Sequence, residues 1–247
     1  MKKVLLTTTA LTLLAGAAAA EIGLSGNARV GVINNGTTSS VDYRFRVYFT
    51  GTTETDGGLT FGAKSGIRWD DPGLGRSGGW GPALWVGNGS MMLRVGNTSG
   101  AVAQTSNRFN VPVMGYGAQG GMYGGWVGNN HASSTTAAVS PNLVAVDFTL
   151  GAATISVSGP AAGADNAGTE LGVNFALGTY SVSLGYVMAY GANDAETQMA
   201  VTGDLGSAKV TLAIAQDATN GTSWAVGGTT AVGSGTAKMY LANQSGA

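Results

Sequence analysis

The chain has 247 residues, with 12 basic and 13 acidic side chains, a net charge of −1 and no cysteine. There is no basic excess to neutralise phosphates, which excludes nucleic acid as a partner by charge, and without cysteine a disulfide scaffold and a four-cysteine zinc site are excluded too. A 44% hydrophobic share and a small net charge are wrong for a disordered chain, while 10% charged residues and 42 glycines suit a chain that must satisfy two solvents.

Residues 1–20 read as an address. Lys2 and Lys3 form a basic start, residues 4–14 an apolar stretch, and Ala18 and Ala20 supply small residues before Glu21. This is the pattern of a secretory signal peptide cleaved after Ala20, and the run is short for a membrane span. The expected mature chain is 21–247, with no later run long enough for a transmembrane helix.

From there the sequence alternates. Ile22, Leu24, Ala28, Val30 and Val32 share one face, with Asn27 and Arg29 on the other. Val41, Tyr43, Phe45, Val47 and Phe49 oppose Asp42, Arg44, Arg46 and Tyr48. Leu59, Phe61, Ala63, Ile67 and Trp69 oppose Lys64 and Arg68. A period of two predicts strands with one apolar and one polar face. Further strands are predicted over 83–86, 91–95, 144–150, 155–157, 171–177, 180–188, 199–201, 210–214, 224–226 and 239–241, about thirteen in all. No helical period is found outside the signal, so the expected class is all-β.

Short connections at 54–58, 87–90, 151–152, 178–179 and 206–207 alternate with longer polar ones at 70–82, 98–141, 159–168, 191–197 and 217–222. That alternation predicts a transmembrane antiparallel up-and-down barrel with short turns at one rim and loops at the other. Aromatics near strand ends (Tyr43, Phe49, Trp69, Trp85, Tyr180, Tyr190, Trp224) are expected to form an interfacial girdle. Met91 is expected to face lipid. The alternative is a soluble β-sandwich, which also alternates.

The segment 21–32 (EIGLSGNARVGV) is similar to the mature start of Gram-negative general-diffusion porins, closest to the alphaproteobacterial kind. Residues 43–63 (YRFRVYFTGTTETDGGLTFGA) resemble that family's second strand, turn and third strand, and 91–101, with LRVGN at 93–97, resembles the strand leading into the inward-folded loop. The resemblance implies a sixteen-stranded, trimeric barrel in the outer membrane of a Gram-negative bacterium, with a water-filled channel narrowed by its third outer loop. By position that constriction loop is 98–141. The family normally ends on an aromatic residue, and this chain ends on Ala247. With about thirteen strands, the expectation is a fragment lacking its closing strands; the alternative is a barrel of about fourteen.

Arg29, Arg44, Arg46, Lys64, Arg68 and Arg94 fall on polar faces, and a lipid-facing cation would cost ~2–4 kcal/mol at the midplane. They are therefore expected to line the pore as a basic wall. In related porins such a wall faces acids on the loop, but residues 72–146 contain no Asp or Glu. The loop offers Arg108, Tyr116, Tyr123, Trp126 and His131 instead. Weak anion preference is the expectation; the alternative pairs the arginines with Asp42, Asp70 and Asp71.

No nucleophile–base set accompanies the single His131, so no enzyme is predicted. No cofactor and no metal site are expected: imidazole ligation lacks partners, and Asp70-Asp71 before Pro72 reads as a turn rather than a calcium site. The leading function is a porin admitting small hydrophilic solutes and ions by passive diffusion, as a homotrimer in outer-membrane lipid. The alternative is a non-conducting outer-membrane or surface β-barrel with a structural or binding role.

Overall fold

The fold is taken from a computed structural model, which describes residues 21–34, 37–70, 78–105, 143–161, 168–189, 194–218 and 221–243. The side chains of Arg29, Asp42, Asp70, Trp80, Asp217 and Lys238 fall outside that description. So do the expected signal peptide, Asp71, Tyr190 and the loop residues Arg108, Tyr116, Tyr123, Trp126 and His131.

Among the described residues thirteen strands form one sheet in sequence order, every neighbouring pair antiparallel. They are β1 (Glu21–Asn34), β2 (Ser39–Glu54), β3 (Thr60–Asp70), β4 (Gly78–Gly87), β5 (Met91–Gly96), β6 (Leu143–Leu150) and β7 (Ala153–Pro160). Then follow β8 (Glu170–Leu177), β9 (Tyr180–Val187), β10 (Glu196–Asp204), β11 (Ala208–Asp217), β12 (Gly221–Val232) and β13 (Gly235–Asn243). No ladder joins β13 to β1 among the described residues. The expected all-β up-and-down class holds.

The one helix among the described residues, α1 (Ala101–Thr105), corrects the expectation that no helix follows the signal. Five residues are too few to display a helical period. Several boundaries also differ from expectation, among them those of β4 and of the β11–β12 connection. β4 starts at Gly78 rather than near residue 83, because the run from Gly78 to Pro82 does not alternate. The connection between β11 and β12 is short, since β11 ends at Asp217 and β12 begins at Gly221.

Local chemistry sets the turns. Gly151 and Gly178 each sit first in a two-residue turn at φ 61°, while no non-glycine residue described has positive φ. Only the first central residue is therefore left-handed, which is the type II′ hairpin matched to strand twist. At the β4–β5 turn the Asn88 side-chain oxygen accepts from the amides of Ser90 at 3.0 Å and Met91 at 2.9 Å.

The two faces differ in chemistry. Leu24, Phe45, Leu84, Met91, Phe148, Leu184, Leu212 and Leu241 are exposed on one. On that face the register partners Phe45 and Trp69 stack with ring centroids 5.6 Å apart. The other face carries Arg44, Arg68, Arg94, Asp147, Ser156, Ser158, Glu170, Ser183 and Glu196, all buried. Exposed apolar groups on one side and buried ions on the other invert the pattern of a soluble protein. Trp85 departs from its expected place in the girdle: it is the register partner of Arg94 and so lies on the polar face. Both Leu84 and Trp85 are apolar, so alternation alone does not tell which points where.

Candidate pore wall and loop anchor

The basic residues of β2 and β3 come into direct register on the polar face. Arg29 is opposite Arg44, which is opposite Asp70; Asn27 is opposite Arg46, which is opposite Arg68. Arg44 and Arg68 are buried in the wall. Arg46, Lys64 and Arg94 line a cavity of about 410 Å³ between β2–β5 and the residues that follow β5. Lys64 lies 4.5 Å from the centroid of the Tyr48 ring.

A β-bulge shapes this wall. The β3–β4 register runs Lys64 to Ala83 and then jumps to Gly66 and Trp80, so Gly81 and Pro82 oppose Ser65 alone. Pro82 has no amide to give the ladder, and its carbonyl accepts from Asn97 N at 2.9 Å instead. The extra residue re-aims the strand beside the cavity, a common placement for bulges.

Arg94 is anchored rather than free. Its Nε donates to Asp147 Oδ2 at 2.7 Å and its Nη2 to Oδ1 at 2.8 Å, a buried two-pronged pair. Asp147 lies one residue beyond the acid-free stretch, on the polar face of β6, and the sequence reading paired the arginines only with Asp42, Asp70 and Asp71. Arg94 Nη1 also donates to Thr98 Oγ1 and to the Ser99 carbonyl, both at 2.7 Å. The guanidinium thus ties the start of the 98–141 segment to the wall.

The segment then turns onto β7, β8 and β9 as α1. The Ala101 amide donates to Ser158 Oγ at 2.8 Å and the Val102 amide to Glu170 Oε2 at 2.9 Å. These are first-turn amides that the helix cannot satisfy itself. At the other end Asn174 Nδ2 donates to the Thr105 carbonyl at 3.0 Å. Between them lies Gly172, where an added Cβ would come 2.5 Å from the Ala101 carbonyl oxygen. Glu170, Gly172 and Asn174 share one face of β8, so alternate residues of a single strand hold both ends and the middle of α1. The sequence reading missed this cradle. Its signal was the polar alternation at 170, 172 and 174 between Leu171 and Val173.

Among the described residues no three His, Asp or Glu side chains gather to hold a metal ion. What the arrangement offers is a polar, charge-bearing wall with a short segment folded against it. On the opposite face Phe61, Leu84, Val86, Leu93 and Val95 line a shallow apolar hollow of about 630 Å³ suited to lipid chains.

This architecture has known counterparts. A solved chain from work on asymmetric conductivity of engineered proteins superposes with a TM-score of 0.74 at 22% identity, covering 91% of this chain and 84% of that one. An engineered variant of Rh. blastica porin gives the same TM-score, identity and coverage. At this identity the likeness shows the fold, a porin β-barrel sheet. A curated porin of Fuscovulum blasticum is 33% identical over 105 residues, a match that covers 40% of this chain and 36% of that relative's length. The family model described as Gram-negative porin matches residues 7–247. With apolar groups outward, ions inward and a matching family model over nearly the whole sequence, the chain belongs to the Gram-negative porins, a family of outer-membrane channels rather than enzymes.

Proposed function

We propose that this chain forms a water-filled channel that admits small hydrophilic solutes and ions by passive diffusion. The observation that carries the reading is the polar face itself. Ionised side chains line it, and the residues after β5 fold onto it rather than away from it. A small barrel packed solid would fill its lumen with side chains; here many positions on that face are small, among them Ser156, Ser158, Gly172, Ser183 and Gly185.

In this reading the 98–141 segment sets the size limit, with Arg108, Tyr116, Tyr123, Trp126 and His131 contributing to the eyelet. Arg29, Arg44, Arg46, Lys64, Arg68 and Arg94 form the basic wall. Asp147 pairs with Arg94, and Lys64 brings an exposed positive charge to the cavity, which supports weak anion preference. Export with cleavage after Ala20 and association of three chains in outer-membrane lipid complete the proposal; family membership supports both.

The test is conductance. The full mature chain is refolded in detergent and added to a planar bilayer. Stepwise openings are expected. A protein that shows heat-modifiable gel migration, and so is folded, but never conducts would contradict the reading.

A further inference from the structure

The cavity beside Lys64 combines three chemistries that a plain ion path does not need. Lys64 brings an exposed positive charge, Arg46 lines the same space, and among the described residues no acidic side chain lines the cavity. Trp85 supplies an apolar face: its indole lies against Gly62, so close that a Cβ there would fall 2.0 Å from the ring. Asn97 presents a buried side-chain oxygen with no hydrogen-bond partner among the described residues, and Gln104 of α1 reaches the same space.

Each feature selects part of a ligand. The cations call for a carboxylate or phosphate. The indole suits the C–H face of a ring that carries few charges of its own. The unmet Asn97 oxygen calls for a hydroxyl donor, since a buried acceptor left unpaired is costly. A volume of about 410 Å³ is enough for one six-membered sugar ring with its water. We infer that this cavity is a binding subsite for an anionic sugar, one that carries a carboxylate or a phosphate. The inference deepens the channel reading and rests on it for the subsite's place on a permeation path; the binding itself does not require conduction.

Calorimetry on the detergent-refolded full chain tests it, with glucuronate, glucose 6-phosphate, glucose and acetate as probes. The expected result is that glucuronate or glucose 6-phosphate binds, whereas glucose, lacking charge, and acetate, lacking the ring, bind at least tenfold more weakly. Which of the two anionic sugars binds more tightly separates carboxylate from phosphate recognition. K64Q, a change at an exposed side chain, is expected to weaken binding about tenfold. W85A is expected to weaken the anionic sugars but leave acetate as it was. Equal binding of glucose and glucuronate, equal binding of acetate and glucuronate, or unchanged affinity in folded K64Q would each overturn the subsite. Failure to conduct would instead overturn the channel reading, leaving a calorimetric signal to stand by itself.

Discussion

Gly172 and Gly185 are register partners on β8 and β9, and together they form the seat on which α1 rests. An added Cβ at Gly172 would meet the Ala101 carbonyl oxygen at 2.5 Å, and one at Gly185 would meet Val102 Cγ1 at 2.8 Å. The first is backbone and cannot swing aside. Two strands thus give up their side chains where a piece of loop lies down.

Gly172→Ala should therefore lift α1 from the wall and weaken its docking by ~1–3 kcal/mol, the usual cost of overpacking. Limited proteolysis of the folded protein reads this as faster cleavage within 98–105. Gly51→Ala is the control, since a Cβ there meets nothing within 4 Å, and its cleavage rate should match the parent.

The Arg94–Asp147 pair gives a second prediction. Removing one partner strands a buried charge, so Asp147→Asn or Arg94→Gln should each cost ~3–5 kcal/mol. The double replacement Arg94→Met with Asp147→Leu should cost less than either alone. Denaturant midpoints of the refolded protein measure all three. A double variant as unstable as the sum of the singles would contradict the pairing.

Glu170 holds the start of α1 through one oxygen. Glu170→Gln keeps a carbonyl acceptor for the Val102 amide and should cost little. Glu170→Ala leaves that buried amide unpaired and should cost ~1–3 kcal/mol. Hydrogen exchange at the Val102 amide separates them: protected in the parent and in Glu170→Gln, fast in Glu170→Ala.

The sequence revealed much of the sheet because each strand has one apolar and one polar face, which writes a period of two into nearly every strand. Polar-face membership of Arg44, Arg46, Arg68 and Arg94 was legible for the same reason. Four things were not. α1 is shorter than two helical turns and has no period to detect. Trp85 sits between Leu84 and Val86, so its neighbours do not mark its face. The Arg94–Asp147 pair joins residues on β5 and β6 with a long segment between them, and only the register reveals it. The shift at Ser65 was likewise hidden, although Gly81-Pro82 is the kind of pair that interrupts a ladder.

The most direct test of the account is the reversal potential of the open channel in a potassium chloride gradient, compared between the parent and Lys64→Gln. The account predicts stepwise openings, a reversal potential that favours chloride, and a shift toward zero when the Lys64 charge is removed. A reversal potential favouring potassium, or one that Lys64→Gln leaves unchanged, would contradict it.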